Sequence, residues 1–401
     1  MTDAFIYDTV RVPRGRGNFK GALHEVKPID LITTLLRAIG QRNALPFDKV
    51  EDLIMGISAA VGDQGSTLPR IAALCQPGFE SVPGMAIQRF CGAGLEAINI
   101  AAEKIRSGWR QLILAGGVES MSRLPLGASG GAWIYDPATS LKIAYVPQGF
   151  SADLLATLCG FDRERLDSYA LHSQQLATQA CEQGFFAKSL IAVRDQNDCV
   201  ILDDEEYIRP GTTMQTLGSL KPAFGGVAAA ANLQVARQRY PSLDEVTPVH
   251  TAGNSSGIVD GAALALVGSE AIGKTLGLRP RARILGVGLS AVDPTVMLTG
   301  PVSATQKALE CAGLRLDEVD LFEVNEAFAV VPLYFAKELK LPLEKINVNG
   351  GAIAMGHPIG ATGAILMSML LDELERRHLR YGVATLCTAG GMGVASVIER
   401  I

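Results

Sequence analysis

A weak internal repeat constrains this chain more than any other feature. In the first half, Phe47-Asp48-Lys49-Val50-Glu51-Asp52-Leu53-Ile54-Met55-Gly56 runs from a polar turn into a short apolar strand; in the second, Leu316-Asp317-Glu318-Val319-Asp320-Leu321-Phe322-Glu323-Val324-Asn325 does the same. Further on, Phe90-Cys91-Gly92-Ala93-Gly94 opens a helix, and Met355-Gly356-His357-Pro358-Ile359-Gly360 is its counterpart, with Pro358 read as lying just inside the helix start. Helical spacing puts Leu95, Ile98, Ala102 and Ile105 on one face, and Ile365 and Met369 on one face of the second helix. Each helix leads to a continuous apolar strand ending in glycines: Leu112-Ile113-Leu114-Ala115-Gly116-Gly117, and Val383-Ala384-Thr385-Leu386-Cys387 before Gly390-Gly391. Continuous apolar strands alternating with helices predict an α/β protein of two related halves, with parallel sheets covered on both faces.

Between the halves the texture changes. Glycine-rich Gly127-Ala128-Ser129-Gly130-Gly131, acidic Asp203-Asp204-Glu205-Glu206 and an alanine run at 228–231 read as inserted loops and helices. The boundaries that follow are a first half at 1–119 resuming at 249–275, an insertion at 120–248, and a second half at 276–401. The acidic run is expected to be a solvated loop, since no spaced partner makes it a metal site. No role follows for the stretch 225–246.

Composition narrows the function. Apolar residues make up 48% and charged residues 19% of 401, with a net charge of −5; this excludes disorder and the basic footprint of a nucleic-acid binder. Apolar runs such as Gly261 to Gly268 are too short to cross a bilayer. Seven dispersed cysteines, with no Cys-x-x-Cys pair, suggest reduced thiols and no metal site. The opening Ala4-Phe5-Ile6-Tyr7 is strand-like rather than a leader, and Glu399-Arg400-Ile401 is no targeting address, so the expected location is cytoplasmic. Gly253-Asn254-Ser255-Ser256-Gly257 lacks dinucleotide-binding spacing, and no phosphate-binding Walker loop occurs.

Four residues stand at corresponding strand ends or helix starts of the duplicated unit. Cys91 precedes an amphipathic helix, where free N–H groups favour a thiolate. His357 sits in a glycine-rich loop, Cys387 ends a buried strand, and Asn325 follows the strand Leu321–Val324. Singly, each reads as well as a core thiol, a loop histidine or a helix cap. Together they fit a nucleophile, a base and a second proton carrier converging from two packed halves.

At this point the chain resembles the thiolase family over essentially its whole length. The four family loops are Cys91-Gly92-Ala93, Asn325-Glu326-Ala327-Phe328, Gly356-His357-Pro358 and Cys387-Thr388-Ala389. The segments Val118-Glu119-Ser120-Met121-Ser122, Thr251-Ala252-Gly253-Asn254-Ser255-Ser256-Gly257, Val292-Asp293-Pro294, Asn347-Val348-Asn349-Gly350-Gly351 and Gly390-Gly391-Met392-Gly393 also match. The resemblance implies two βαβαβαββ halves in five αβαβα layers with an inserted loop domain, a homodimer or homotetramer, and coenzyme A as a substrate with no cofactor.

It also implies roles. His357 takes the proton of Cys91, whose thiolate attacks an acyl-CoA carbonyl, and Cys387 protonates the departing acetyl-CoA carbanion or, in synthesis, forms it. Backbone N–H groups of Cys91 and Ala389 hold the tetrahedral oxygen; His357 and a water on Asn325 hold the enolate. Arg209, in Glu206-Tyr207-Ile208-Arg209, corresponds to a nucleotide contact, and Ser256 and Thr216 to further coenzyme A contacts. Two positions depart from the usual pattern, Ala93 for serine and Ala389 for glycine, and Pro147-Gln148-Gly149-Phe150 replaces the usual His-Met-Gly. The alternatives are a carrier-protein condensing enzyme of the 3-oxoacyl synthase type, which uses Cys-His-His whereas the third group here is Cys387, and a non-catalytic acyl-CoA binder on the same fold.

Overall fold

The computed structural model describes residues 2–401. The first half comprises β1 (Ala4–Arg11), β2 (Gly15–Arg16), α1 (Pro28–Arg42), β3 (Asp52–Gly56), α2 (Leu68–Cys75), β4 (Gly84–Ile87), α3 (Ala93–Arg106) and β5 (Leu112–Ser120). The insertion follows with α4 (Ala132–Tyr135), α5 (Pro137–Lys142), α6 (Gln148–Cys159), α7 (Arg163–Glu182), β6 (Val193–Arg194), β7 (Val200–Leu202), α8 (Met214–Gly218) and α9 (Val227–Ala236). Then come β8 (Val259–Ser269), α10 (Glu270–Leu276), β9 (Ala282–Ala291), α11 (Gly300–Ala312), β10 (Leu321–Val324), α12 (Val330–Leu339), α13 (Ala352–Met355), α14 (Thr362–Arg376), β11 (Tyr381–Thr388) and β12 (Met392–Arg400).

The strands run in the order β10-β11-β12-β9-β1-β8-β5-β3-β4, with β2 added to β8. The strands of the two halves join where Ala4, Phe5 and Ile6 pair with Ile284, Arg283 and Ala282. Each half repeats one scheme: β3 lies between β4 and β5 as β10 lies beside β11, and in the second half the place of β4 is taken by a single bridge, Phe322 to Ile346. The expected parallel sheets are only partly present. Pairs β3–β4, β3–β5 and β10–β11 are parallel, and the rest are antiparallel. The reason is local: β11 turns directly into β12 through Ala389–Gly391, and a tight turn returns a strand antiparallel.

Side chains alternate across each strand and so feed three cores. In β3, Leu53 and Met55 face the core beneath α1, while Ile54 faces the core shared by α3 and α14. In β11, Ala384 and Leu386 join that central core, and Val383 and Cys387 face the third core, with α11 and α12. The layers are therefore α1 and α2, sheet, α3 with α14, sheet, α11 with α12. Helix α1 shows how sequence sets a layer. Pro28 and Asp30 suit its first turn, and Leu31, Ile32, Leu35, Leu36 and Ile39 recur at helical spacing and are buried. Each such burial stabilises by about 1.5–3 kcal/mol.

Three further expectations change. Gly116 and Gly117 do not end a strand, since β5 runs on to Ser120. Pro358 lies in a turn before α14, which begins at Thr362. The acidic run is not wholly solvated: Glu205 is buried and bonds the Arg11 and Arg14 guanidiniums at 2.5–2.9 Å. Its partners come from β1 and the loop after it, too far away in sequence for a local reading. Burial opposes the Glu205 carboxylate, yet the two arginines hold it down at about 2. The alanine run falls in α9.

Candidate active site

Backbone contact between the halves builds the site. A Cβ on Gly94, at the start of α3, would lie 2.6 Å from the Gly360 carbonyl oxygen, and one on Gly117 would lie 2.1 Å from it. Only bare backbone fits there. The loop holding His357 is thus pressed onto the strand and helix that hold Cys91. Glu119, at the end of β5, locks the junction. Its carboxylate accepts N–H bonds from Ser58, Ala59 and Gly360 at 2.8–3.1 Å and from the Gln64 amide at 2.7 Å.

Cys91 lies in a single turn of 3₁₀ helix, Phe90–Gly92, that runs into α3. Phe90 before it has φ +47, a left-handed conformation that a bulky residue holds only at a cost of about 1–3 kcal/mol. The residue is 4% exposed. Burial pushes the Cys91 thiol up to about 12, against the pull of its own N–H, the Ala389 N–H and, more weakly, the Gln148 amide. The resting group is therefore a thiol, not the thiolate the helix start suggested: desolvation outweighs the N–H groups.

His357 is buried, and burial together with the Arg14 charge holds its imidazole down at about 3, so it is neutral. Its tautomer follows from one hydroxyl. Thr362 Oγ1 donates to the Pro358 carbonyl at 3.0 Å and lies 2.5 Å from His357 Nδ1. With that proton committed, the hydroxyl accepts from Nδ1–H, which leaves Nε2 as a bare acceptor. The Asn325 amide approaches Nε2 at 3.3 Å, and Asn325 Oδ1 is buried without a partner.

Cys387 near the end of β11 is fully buried, and burial plus the neighbouring Cys91 push its thiol far up. After it, the left-handed conformations fall on Gly390 and Gly391 at φ +79 and +75, so Ala389 accommodates its methyl group. Ala93 packs its backbone against Gly56, where a Cβ on the glycine would lie 2.3 Å from the Ala93 carbonyl carbon.

Cys91, His357, Ala389 and Ser256 line one cavity of about 540 Å³, within the usual range for small-molecule sites. Cys387 and Asn325 do not line it; they lie behind the two that do. Arg209 and Thr216 also lie outside it. Arg209 is exposed and stacks on Tyr207 at 4.5 Å, and Tyr207 packs against Gly257 in the cavity wall. The Thr216 hydroxyl caps its own helix through Thr213, and Leu217 beside it packs on Gly253. Both sit next to the 253–257 segment. A larger open groove of about 800 Å³, between Arg106 and Cys311, holds none of these residues.

The sequence left several contributors without a role. Thr362 and Gln148 were not singled out, and Glu119 and Glu326 appeared only inside matched segments. Glu326 accepts from Tyr169, Ser173, Asn347 and the Ile353 N–H at 2.7–3.1 Å, tying α7 of the insertion to the loops that carry Asn325 and His357. Asn347 also bonds the Val324 N–H and carbonyl at 2.7 and 2.8 Å, replacing a strand neighbour just before Asn325. A hydroxyl at the first turn of the helix after His357 was the one local signal available.

Known proteins resemble this chain over its whole length. Residues 4–236 match the family "Thiolase, N-terminal domain" and residues 278–400 match "Thiolase, C-terminal domain". The chain is 37% identical, over 100% of both chains, to a 3-ketoacyl-CoA thiolase of Klebsiella pneumoniae. It is equally 37% identical over both full lengths to the 3-oxoadipyl-CoA/3-oxo-5,6-dehydrosuberyl-CoA thiolase of Escherichia coli K12. The crystal structure of the Bacillus anthracis acetyl-CoA acetyltransferase superposes with a TM-score of 0.86 at 35% identity, covering 100% of this chain and 99% of that one. A duplicated five-layer fold, a cysteine and a histidine brought to one cavity by touching glycines, and full-length likeness to these acyltransferases lead to one conclusion: the chain belongs to the thiolase family.

Proposed function

We propose that this protein transfers an acyl group between Cys91 and coenzyme A, cleaving or forming the C2–C3 bond of a 3-oxoacyl-CoA. The observation that carries the reading is a buried neutral thiol sharing its cavity with a neutral imidazole whose Nε2 carries no proton. In cleavage, Nε2 takes the Cys91 proton as the sulfur attacks C3. The C2–C3 bond breaks, its electron pair becomes the enolate of acetyl-CoA, and the Cys387 thiol protonates C2. Coenzyme A then gives its thiol proton to Cys387 and attacks the acyl-cysteine, and Cys91 recovers its proton from His357. One difficult step becomes two.

The suppressed acidity of the two thiols fits these roles. Cys387 resists ionisation, so as a thiolate it is a strong base toward a weakly acidic α-carbon. The tetrahedral oxygen would rest between the N–H groups of Cys91 and Ala389, where loss of one donor typically costs ~3 kcal/mol of barrier. Asn325, beside Nε2, would hold a water for the enolate oxygen. Arg209, Thr216 and Ser256 support a coenzyme A path over the 253–257 segment. These groups need no cofactor.

Seven free cysteines support a reducing, cytoplasmic setting, and among the described residues no helix is long and apolar enough to cross a membrane. The half-buried edge strand β4 supports a homodimer or homotetramer. The boundaries 120–248 for the insertion and 276–401 for the second half belong to the same reading.

The direct test is intact-mass analysis after mixing with an acyl-CoA. An acyl adduct on Cys91, absent in Cys91→Ser together with a loss of thiolysis by at least about 10⁴-fold, is the expected result. Unchanged turnover in Cys91→Ser removes Cys91 as the nucleophile.

A further inference from the structure

The cavity wall beside Cys91 and Ala389 carries chemistry that the reacting groups do not use. Phe90, Trp133 and Tyr145 stand in one stack, with ring centroids 5.2 Å apart at each step and planes within 27° and 9°. The stack is fixed to the reacting sulfur at two points. Phe90 directly precedes Cys91, and Trp133 packs on Gly390, where a Cβ would lie 2.9 Å from the ring. Leu124, Leu126 and Ile134 extend this apolar wall, while Phe224 and Phe328 meet edge to face elsewhere in the lining.

No residue lining the cavity, among those described, is a lysine or an arginine. Its one acidic side chain, Glu119, already accepts four N–H bonds and offers no cation. Arg123, adjacent in sequence to Leu124, is held by Asp63 and the His24 carbonyl at 2.8 Å each. Leu126 and Ile134 are exposed at the mouth, but a carboxylate laid against the half-buried Phe90–Trp133–Tyr145 stack would lose hydration and meet no cation. A methyl group or a ring would gain from every wall it touched.

Resting on the thiolase reading above, we propose that the acyl tail is neutral and apolar, aliphatic or aryl, and that ω-carboxylated 3-oxoacyl chains are rejected. This sets the chain apart from the E. coli relative named for 3-oxoadipyl-CoA, which sequence identity alone does not.

The test compares kcat/KM for thiolysis of 3-oxohexanoyl-CoA, 3-oxooctanoyl-CoA, 3-oxo-3-phenylpropanoyl-CoA and 3-oxoadipyl-CoA by the full-length protein. The hexanoyl and adipyl esters share a six-carbon chain and differ in a terminal methyl against a carboxylate. A preference of about 100-fold or more for the neutral ester is expected, since one uncompensated buried charge commands at least that discrimination. Octanoyl ahead of phenylpropanoyl would identify a chain as the tail, and the reverse a ring; either supports the proposal. Equal or faster cleavage of the adipyl ester overturns it. Cleavage of none of the four instead sinks the thiolase reading. As a second arm, Ile134→Arg should raise the adipyl-to-hexanoyl ratio about tenfold or more by supplying the missing cation. An unmoved ratio, with the hexanoyl ester still cleaved, overturns the placement of the tail along this wall.

Discussion

The two halves of the molecule share a plan but divide the work unequally. Leu53 pairs with Leu114 in the first half, and Phe322 pairs with Val383 at the matching place in the second. Counting on from those pairs, Gly56 and Val118 stand where Asn325 and Cys387 stand. In the proposed reaction the first half supplies the Cys91 sulfur, with Glu119 and Ser256 as polar supports. The second half would supply the base, the second thiol and the amide. A duplicated fold thus yields an asymmetric site, because Gly56 and Val118 carry no reactive side chain where Asn325 and Cys387 do.

That division makes strong demands. Cys387→Ser should lower thiolysis by about 10²–10⁴-fold in kcat, the usual share of a general acid–base group, with KM little changed. An unchanged kcat would remove Cys387 from proton transfer. Replacing Glu205 by Leu leaves Arg11 and Arg14 buried without their carboxylate, and urea unfolding should show a loss of about 3–5 kcal/mol. A loss below about 1 kcal/mol would make the insertion an independent appendage.

Gly360→Ala probes the junction itself. Its Cβ would meet Glu119 Oε2 at 2.7 Å and the Gly56 carbonyl at 2.8 Å, so stability should fall by about 1–3 kcal/mol, with activity falling further as Cys91 and His357 separate. Thr362→Val leaves Nδ1–H unpaired and frees the tautomer, and kcat should drop about 10- to 100-fold, equivalent to 1–3 kcal/mol. An unchanged kcat would mean that the hydroxyl does not orient the imidazole.

The smallest expected effect is that of pH. His357, held at about 3, keeps Nε2 unprotonated, and Cys91, raised to about 12, keeps its proton. Neither ionisation falls in the neutral range, so kcat/KM should be flat between about pH 6 and 9. A bell centred near neutrality would show an ionised Cys91–His357 pair in the free enzyme.

What the sequence disclosed follows from the range of its signals. Helix α3 and strand β10 were legible because their apolar periodicity is local, and Cys91, His357, Cys387 and Asn325 because they recur at equivalent places in a repeat. Glu205 was misread because its burial depends on arginines contributed by β1 and the loop after it. The mixed sheet was misread because a continuous apolar strand shows that both faces are covered, not which way its neighbours run. The Cys91 thiol was misread because the helix-start effect can be seen in the chain, whereas the desolvation that exceeds it exists only after packing.

The contact at Gly360 has an evolutionary consequence. Where main chain meets main chain, there is no side chain left to trim or enlarge, so the spacing of the two catalytic loops is not open to gradual adjustment. Change that preserves the reaction is therefore easier to place around it, in the aromatic and aliphatic panels of the insertion, than in the seam between the duplicates.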